Sequence, residues 1–396
     1  MIKRKLNILS IKYGNILFVA ALLFCYYIIR SVYGISDYVR NETLSLGFIL
    51  ASVLVINILF SYKVLGTPKI RVVGDYYIIA LLFSLYLIFH LFFSSYFNIS
   101  EIFSTTAALL ISTSLISVRC NIRLNNYIAI FFFVVFTYYF VYYRLIEPRV
   151  FSLANNNEDR YPQFLNSIYY LLCLLPFFLT YKWKYVPIII AFFCVLISFK
   201  IGSITGLFAG LVAYFIVNQK VQEKKINKTF WIILTLFILF IFLYNKVSSN
   251  FDFDIMQKID EDDGTGSGRI GIWGKVLSLY FSSSLFGMLF GHGPNAVSDA
   301  ITFSAHNDFL EVLYDFGLIG EILYLRFIYV LGKYMILLIK RKSEQAAPFA
   351  YSLFLFISMS LISNVIFISR YSLILFAFWG MAMGQSRLQS IGKSKI

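Results

Sequence analysis

The sequence predicts an all-α, polytopic integral membrane protein with about 12 transmembrane helices. Composition is the first observation: 59% of the 396 residues are hydrophobic and only 14% are charged, against roughly 45–50% and about 25% in a soluble domain. The second is length, because the apolar residues fall in runs of about 15–25, and a helix rising 1.5 Å per residue needs about 20 to cross some 30 Å of hydrocarbon. The third is that Lys and Arg collect at alternate ends of these runs. Each span must be a helix, since an open strand edge leaves backbone groups unsatisfied in lipid.

In chain order, the first span is expected at 15–30. It follows the basic start Met1-Ile2-Lys3-Arg4-Lys5 and carries no small-residue cleavage pattern, so it reads as a retained anchor. Further spans are expected at 44–62, 76–97, 100–118, 126–143, 164–181, 186–199, 202–218, 230–245, 310–339, 349–369 and 371–385. Residues 1–396 thus form a single membrane domain with two long outer segments, 144–163 and 246–307, the larger lying between the ninth and tenth helices. No internal repeat is visible, which weakens a transporter built from related halves. Cys25, Cys120, Cys173 and Cys194 sit in or beside apolar runs without paired spacing, as packing residues would.

Orientation follows from charge. With the N-terminus inside, the clusters at Lys3–Lys12, Lys63–Arg71, Arg119/Arg123, Lys182/Lys184, Lys220–Lys228, Lys340–Lys342 and Arg387–Lys395 are all cytoplasmic. Asp75, Glu223 and Glu344 alone oppose them, and the outer segments come out net acidic. The formal charge of +14 is therefore a topology signal with both termini cytoplasmic. A charge spread over seven cytoplasmic ends is a poor nucleic-acid surface.

Long outer loops are where function collects. The larger one runs through Asp252, Asp254 and the acidic stretch Asp260–Asp263 to Gly264-Thr265-Gly266-Ser267-Gly268, then Arg269-Ile270-Gly271-Ile272-Trp273. The glycine run lacks the Gly-Lys-Ser/Thr of a nucleotide loop. The acidic residues lack the spacing of a calcium loop, and Asp252-Phe253-Asp254 has no soluble α/β domain around it, so no metal and no cofactor are implied. The apolar stretch after Gly268 is short of spanning length and reads as a helix lying in the outer interface, with Ser267 as its cap and Arg269 in its first turn. An arginine beside free backbone N–H groups suits a phosphate or diphosphate. The loop closes at Ser304-Ala305-His306-Asn307-Asp308. His306 and Gly317 are eleven apart, about 1100° on a continuous helix, and so share one edge of it to within roughly 20°. His306 is titratable near neutral pH and suits general base chemistry. Tyr142, Tyr143, Tyr161, Tyr169 and Tyr170 lie toward the outer face, either to stack on sugars or as an interfacial belt.

The combination Ser267-Gly268-Arg269 with Trp273, then Gly291-His292-Gly293-Pro294, then His306-Asn307 with Gly317-Leu318-Ile319-Gly320 resembles the bacterial O-antigen polymerase and O-antigen ligase superfamily. The likeness covers about residues 190–330. It implies transfer of an undecaprenyl-diphosphate-linked glycan at the outer face of the bacterial inner membrane, with no nucleotide sugar and no essential metal. By the same resemblance Arg269 binds the lipid diphosphate and His306 acts on the acceptor hydroxyl. Where the family often carries Ser-Arg at the start of an upstream small-residue span, this chain has Gly202-Ser203-Ile204-Thr205-Gly206, with Lys200 as the nearby cation. Arg149, Arg160, Lys200, Trp273, Asn307 and Gly317 complete the candidate diphosphate- or glycan-binding set. The expected partners are lipid-linked oligosaccharide donor and acceptor, membrane lipids and, for a polymerase, a chain-length regulator protein. A polymerase is the favoured reading, a ligase transferring finished chains to lipid A core is the alternative, and a lipid-linked oligosaccharide flippase is the alternative from another class.

Overall fold

The computed structural model describes residues 13–26, 49, 53–55, 57, 70–93, 99–118, 120–142, 168–198, 200–223, 269–302, 304–362 and 369–392. Among them, α1 is Tyr13–Tyr26. There follow α2 (Arg71–Phe93), α3 (Ile99–Ser117), α4 (Ile122–Val141), α5 (Ile168–Leu174), α6 (Tyr185–Ser198) and α7 (Ile201–Gln222). Then come the short helices α8 (Arg269–Ser282), α9 (Leu285–Phe290) and α10 (Ala296–Ile301), and α11 (Asp308–Lys340), α12 (Ala346–Ile362) and α13 (Ser369–Gly392) complete the order. The described residues contain helices and no strand, as an all-α membrane protein requires. Four stretches, Arg71–Phe92, Arg123–Val141, Gly202–Gln222 and Asp308–Lys340, are long and apolar enough to cross a membrane by length and composition. The expected span at 230–245, the loop 144–163 with Arg149 and Arg160, and residues 246–268 lie outside the described residues, and so does most of 44–62.

With lipid tails as apolar as leucine, helices associate through close packing and internal hydrogen bonds. The small residues of α7 serve the first of these: Gly206 lies against Leu355 and Met359, and Gly210 against Tyr351, which brings α7 onto α12. Internal hydrogen bonds supply the second. Asn57 donates to the carbonyls of Val53 and Leu110 and to Ser114 Oγ while accepting from Tyr77. Trp379 of α13 donates to Ser352 of α12 at 2.8 Å. Helix α5 is buried along its whole length and ends in a 3-10 turn at Leu175–Phe177, where Pro176 cannot continue the ladder. None of the four cysteines forms a disulfide, and Cys25, Cys173 and Cys194 are buried, as packing residues are.

Helix α11 departs from the continuous helix expected over 310–339. Gly317 takes φ 67°, ψ −174° and breaks it. Such a break frees carbonyls that must find other donors at membrane depth. Here three in succession do: Tyr314 O accepts from His292 N (3.2 Å), Asp315 O from Gly293 N (2.7 Å) and Phe316 O from the Tyr86 hydroxyl (2.8 Å). The turn after α9 thus docks into the break. The expectation that His306 and Gly317 share one helical edge fails for this reason, and also because His306 precedes the helix, in the left-handed region at φ 50°.

Helices α8 and α10 share a small core with the loop before α11. Val276 and Tyr280 of α8, Ala296 and Val297 of α10, Ala305 and Tyr314 pack together as a cluster separate from the main one. Helix α8 shows three sectors: Val276 and Tyr280 face this cluster, Ile270, Gly274, Leu277 and Phe281 are exposed in one apolar stripe, and Gly271, Lys275, Ser278 and Ser282 form a polar flank. That division matches a helix lying in an interface.

Candidate functional site

Lys200 caps α7 at its N-terminus, and the turn that holds it is closed on both sides. Its N–H donates to Ser198 Oγ (3.2 Å), and its carbonyl accepts from the Ser203 hydroxyl (2.7 Å) and the Ser203 and Ile204 amides. Its ammonium stands 4.9 Å from the centre of the Tyr169 ring. Arg269 is the first residue of α8 and also interacts electrostatically with Tyr169. His306 lies on the turn before α11, its Nδ1 3.4 Å from Ser304 Oγ.

The three groups sense one another. Burial, and secondarily the Arg269 charge, lowers the Lys200 ammonium to about 7. Burial lowers His306 to about 4, helped by Arg269 and then by Lys200. Burial also lowers Arg269. The His306 ring is open to the outside, yet enough protein and positive charge surround it that its imidazolium form is disfavoured. At neutral pH the site therefore holds a neutral imidazole beside a guanidinium and a lysine amine that is about half charged. Among the described residues none of the three is paired with a carboxylate. Two cationic groups brought together at helix N-termini, with no carboxylate partner among the described residues, make a place that a polyanionic ligand would stabilise.

The loop carrying His306 is clamped at Ala305. The Trp273 indole donates to Ala305 O (2.9 Å), and Ala305 N donates to a Glu311 carboxylate oxygen (2.8 Å). Trp273 lies one turn after Arg269 on α8, so the indole ties the arginine's helix to the histidine's loop. Asn307, expected among the glycan-binding residues, has its amide engaged on both sides. The oxygen accepts from Phe309 N and Leu310 N as the cap of α11, and the nitrogen donates to Leu361 O. Gly317 packs on the outer turn: a Cβ there would come within 2.5 Å of Gly291 N and the Leu289 carbonyl. Its task is to admit that turn.

The structure thus brings together Lys200, Arg269, His306 and Trp273 of the expected residues, while Arg149 and Arg160 lie outside the described residues. Tyr169 and Tyr170, weighed as sugar-stacking or interfacial residues, are instead buried, with 1% and 2% of their surface exposed. His292 occupies the turn between α9 and α10, its ring stacked on Tyr314 and its Nε2 2.7 Å from Ser283 Oγ. The sequence reading missed two carboxylates: Glu311, described above, and Asp315, which accepts from Asn295 N and Val297 N at 2.9 Å each and holds the start of α10. Their spacing from His306 looks like ordinary helix charge, and no local pattern marks them.

No curated protein matches the chain. Residues 186–325, the stretch that supplies Lys200, Arg269, Trp273 and His306, match the family model described as O-antigen ligase, which supports the likeness to the O-antigen polymerase and ligase superfamily.

Proposed function

We propose that the protein is a polysaccharide polymerase that joins undecaprenyl-diphosphate-linked repeat units at the periplasmic face of the inner membrane, with both termini in the cytoplasm and residues 246–307 outside. The observation that carries this reading is the meeting of Lys200, Arg269 and a neutral His306 in one cluster. Diphosphate leaves from an anomeric carbon most readily when cations face the developing charge. Lys200 and Arg269 supply them, the arginine as a planar two-donor fork.

The acceptor hydroxyl oxygen attacks the anomeric carbon of the donor glycan. A new glycosidic C–O bond forms, the bond to the diphosphate oxygen breaks with its electron pair, and the hydroxyl proton passes to His306. In the tautomer that carries its proton on Nδ1, 3.4 Å from Ser304 Oγ, Nε2 has the lone pair that accepts it. The Ala305 clamp of Trp273 and Glu311 fixes the ring for that transfer. No metal or cofactor takes part. Donor and acceptor are lipid-linked oligosaccharides in the surrounding lipid, and a chain-length regulator protein is a further partner.

The ligase reading is favoured by the description of the matching family. It uses the same cluster with a lipid A core as acceptor. Deleting the gene and separating the surface polysaccharide on a gel distinguishes the two. Single repeats on the core indicate a polymerase, whereas bare core with lipid-linked polymer accumulating indicates a ligase. Arg269→Lys, supplied in trans at equal abundance, is expected to lose most long chains, because a point ammonium cannot reproduce the fork. Normal long chains from that variant would contradict the diphosphate role.

A further inference from the structure

Beneath the cation cluster lies a side chain that the proposed reaction does not use. Tyr169 is on α5, a helix buried on every side, and its ring sits against Lys200 at 4.9 Å. It interacts with Arg269 as well. The ring of Tyr371, in the first turn of α13, meets it edge-on at 5.1 Å and fixes its plane. On the α7 side, the hydroxyl presses on Gly202: a Cβ at that position would lie 2.5 Å from the Tyr169 oxygen but 3.7 Å from the ring carbon that bears it. One rigid side chain therefore meets the residue that caps α7 and the backbone two residues later, and lies close enough to the guanidinium at the start of α8 to influence it electrostatically.

We infer that Tyr169 is the positioning residue of the site: its ring face seats the Lys200 ammonium and holds it beside Arg269, so that both cations meet one diphosphate. A flexible four-carbon stem ending in an ammonium otherwise has many rotamers. An aromatic face within about 6 Å restricts them and stabilises the charge where water is scarce. Tyr169 thereby governs donor affinity and leaves proton transfer at His306 alone. This inference rests on the reading of Lys200 and Arg269 as diphosphate-binding.

The test uses the full chain in lipid nanodiscs, with undecaprenyl diphosphate as the binding probe and lipid-linked repeat units for kinetics. Tyr169→Leu removes the face and is expected to weaken probe binding on the order of tenfold and to raise the donor KM, with kcat within about twofold. Tyr169→Phe keeps the face and is expected to recover most of the binding lost in the leucine variant. Gly202→Ala pushes on the hydroxyl and is expected to weaken binding. Adding Tyr169→Phe removes the oxygen that it strikes and is expected to restore binding, a readout that holds even should the leucine variant fail to fold. The inference is overturned by a folded Tyr169→Leu that binds as wild type, by a loss confined to kcat, or by a Gly202→Ala defect that the second change does not relieve. Should Lys200→Ala and Arg269→Ala also bind as wild type, the diphosphate reading itself falls, and the inference with it. Weak binding in those two alone overturns the role of Tyr169 and leaves the reading standing.

Discussion

Replacing Lys200 by arginine separates charge from titration at the proposed diphosphate site. In the ligand-free protein, burial and then the facing Arg269 lower the Lys200 ammonium to about 7. About half of it is charged at pH 7 and only about one-tenth at pH 8, since each pH unit past the pKa changes the ratio tenfold. The ratio kcat/KM reports ionisations of the free protein. For the donor it is expected to fall with unit slope above about pH 7, some tenfold per unit. His306, lowered to about 4, must be neutral to accept a proton, so the acid limb lies near pH 4 and a plateau separates the two. Measured at saturating donor, kcat is expected to be flatter on the alkaline side, because bound diphosphate raises the ammonium again. Arginine stays charged throughout this range. Lys200→Arg is therefore expected to lose the alkaline limb of kcat/KM while keeping the acid one. Initial rates of repeat-unit joining in nanodiscs, taken from about pH 3 to 8.5 at equal protein abundance, measure this. A flat wild-type profile above pH 7, or an unchanged alkaline limb in Lys200→Arg, would refute the reasoning.

Three other perturbations follow from the same geometry. Trp273→Phe leaves the buried Ala305 carbonyl without its donor, a loss of about 1–3 kcal/mol. It is expected to loosen the His306 loop and lower kcat about tenfold while moving donor KM little, as steady-state rates would show. Gly317→Ala forces a Cβ onto a backbone at φ 67°, against Gly291 N. Strain of about 1–3 kcal/mol before any clash should lower the melting temperature in detergent, and an unchanged melt would contradict the docked turn. Ser278→Cys, on the exposed flank of α8, is expected to react with a membrane-impermeant maleimide from the periplasmic side; reaction only after the inner membrane is opened would reverse the proposed topology.

Sequence and structure agree where a local rule decides. The all-helical class follows from apolar run length alone, and the stretch after Gly268 was legible as a helix too short to span. Arg269 stood out as a cation in the first turn of an apolar stretch, and His306 because histidine is rare in this chain. Lys200 was visible as a cation, yet its place beside His306 depends on packing between α7 and the loop before α11, which no local pattern encodes. Tyr169 was obscured by composition: in a chain with 19% aromatic residues, a tyrosine near a span end looks like part of an interfacial belt, and only the tertiary fold turns it inward. Gly317 misled for a different reason. The apolar pattern of α11 continues past it, and the break is set by an outer turn whose amides pair with the freed carbonyls. Trp273 and Asn307 were expected as ligand contacts; the structure shows their polar atoms holding the loop, a role set by tertiary contacts that no local pattern encodes.

The central claim is that the Lys200, Arg269 and His306 cluster performs glycan transfer with His306 as its base. Purified full-length protein carrying His306→Ala, reconstituted with lipid-linked repeat units, tests it most directly through the rate of chain elongation followed on a gel. Loss of a general base costs about 10²–10⁴-fold, so the account predicts single units where wild type gives a ladder, with undecaprenyl diphosphate binding retained. A full ladder from His306→Ala at the wild-type rate would contradict it.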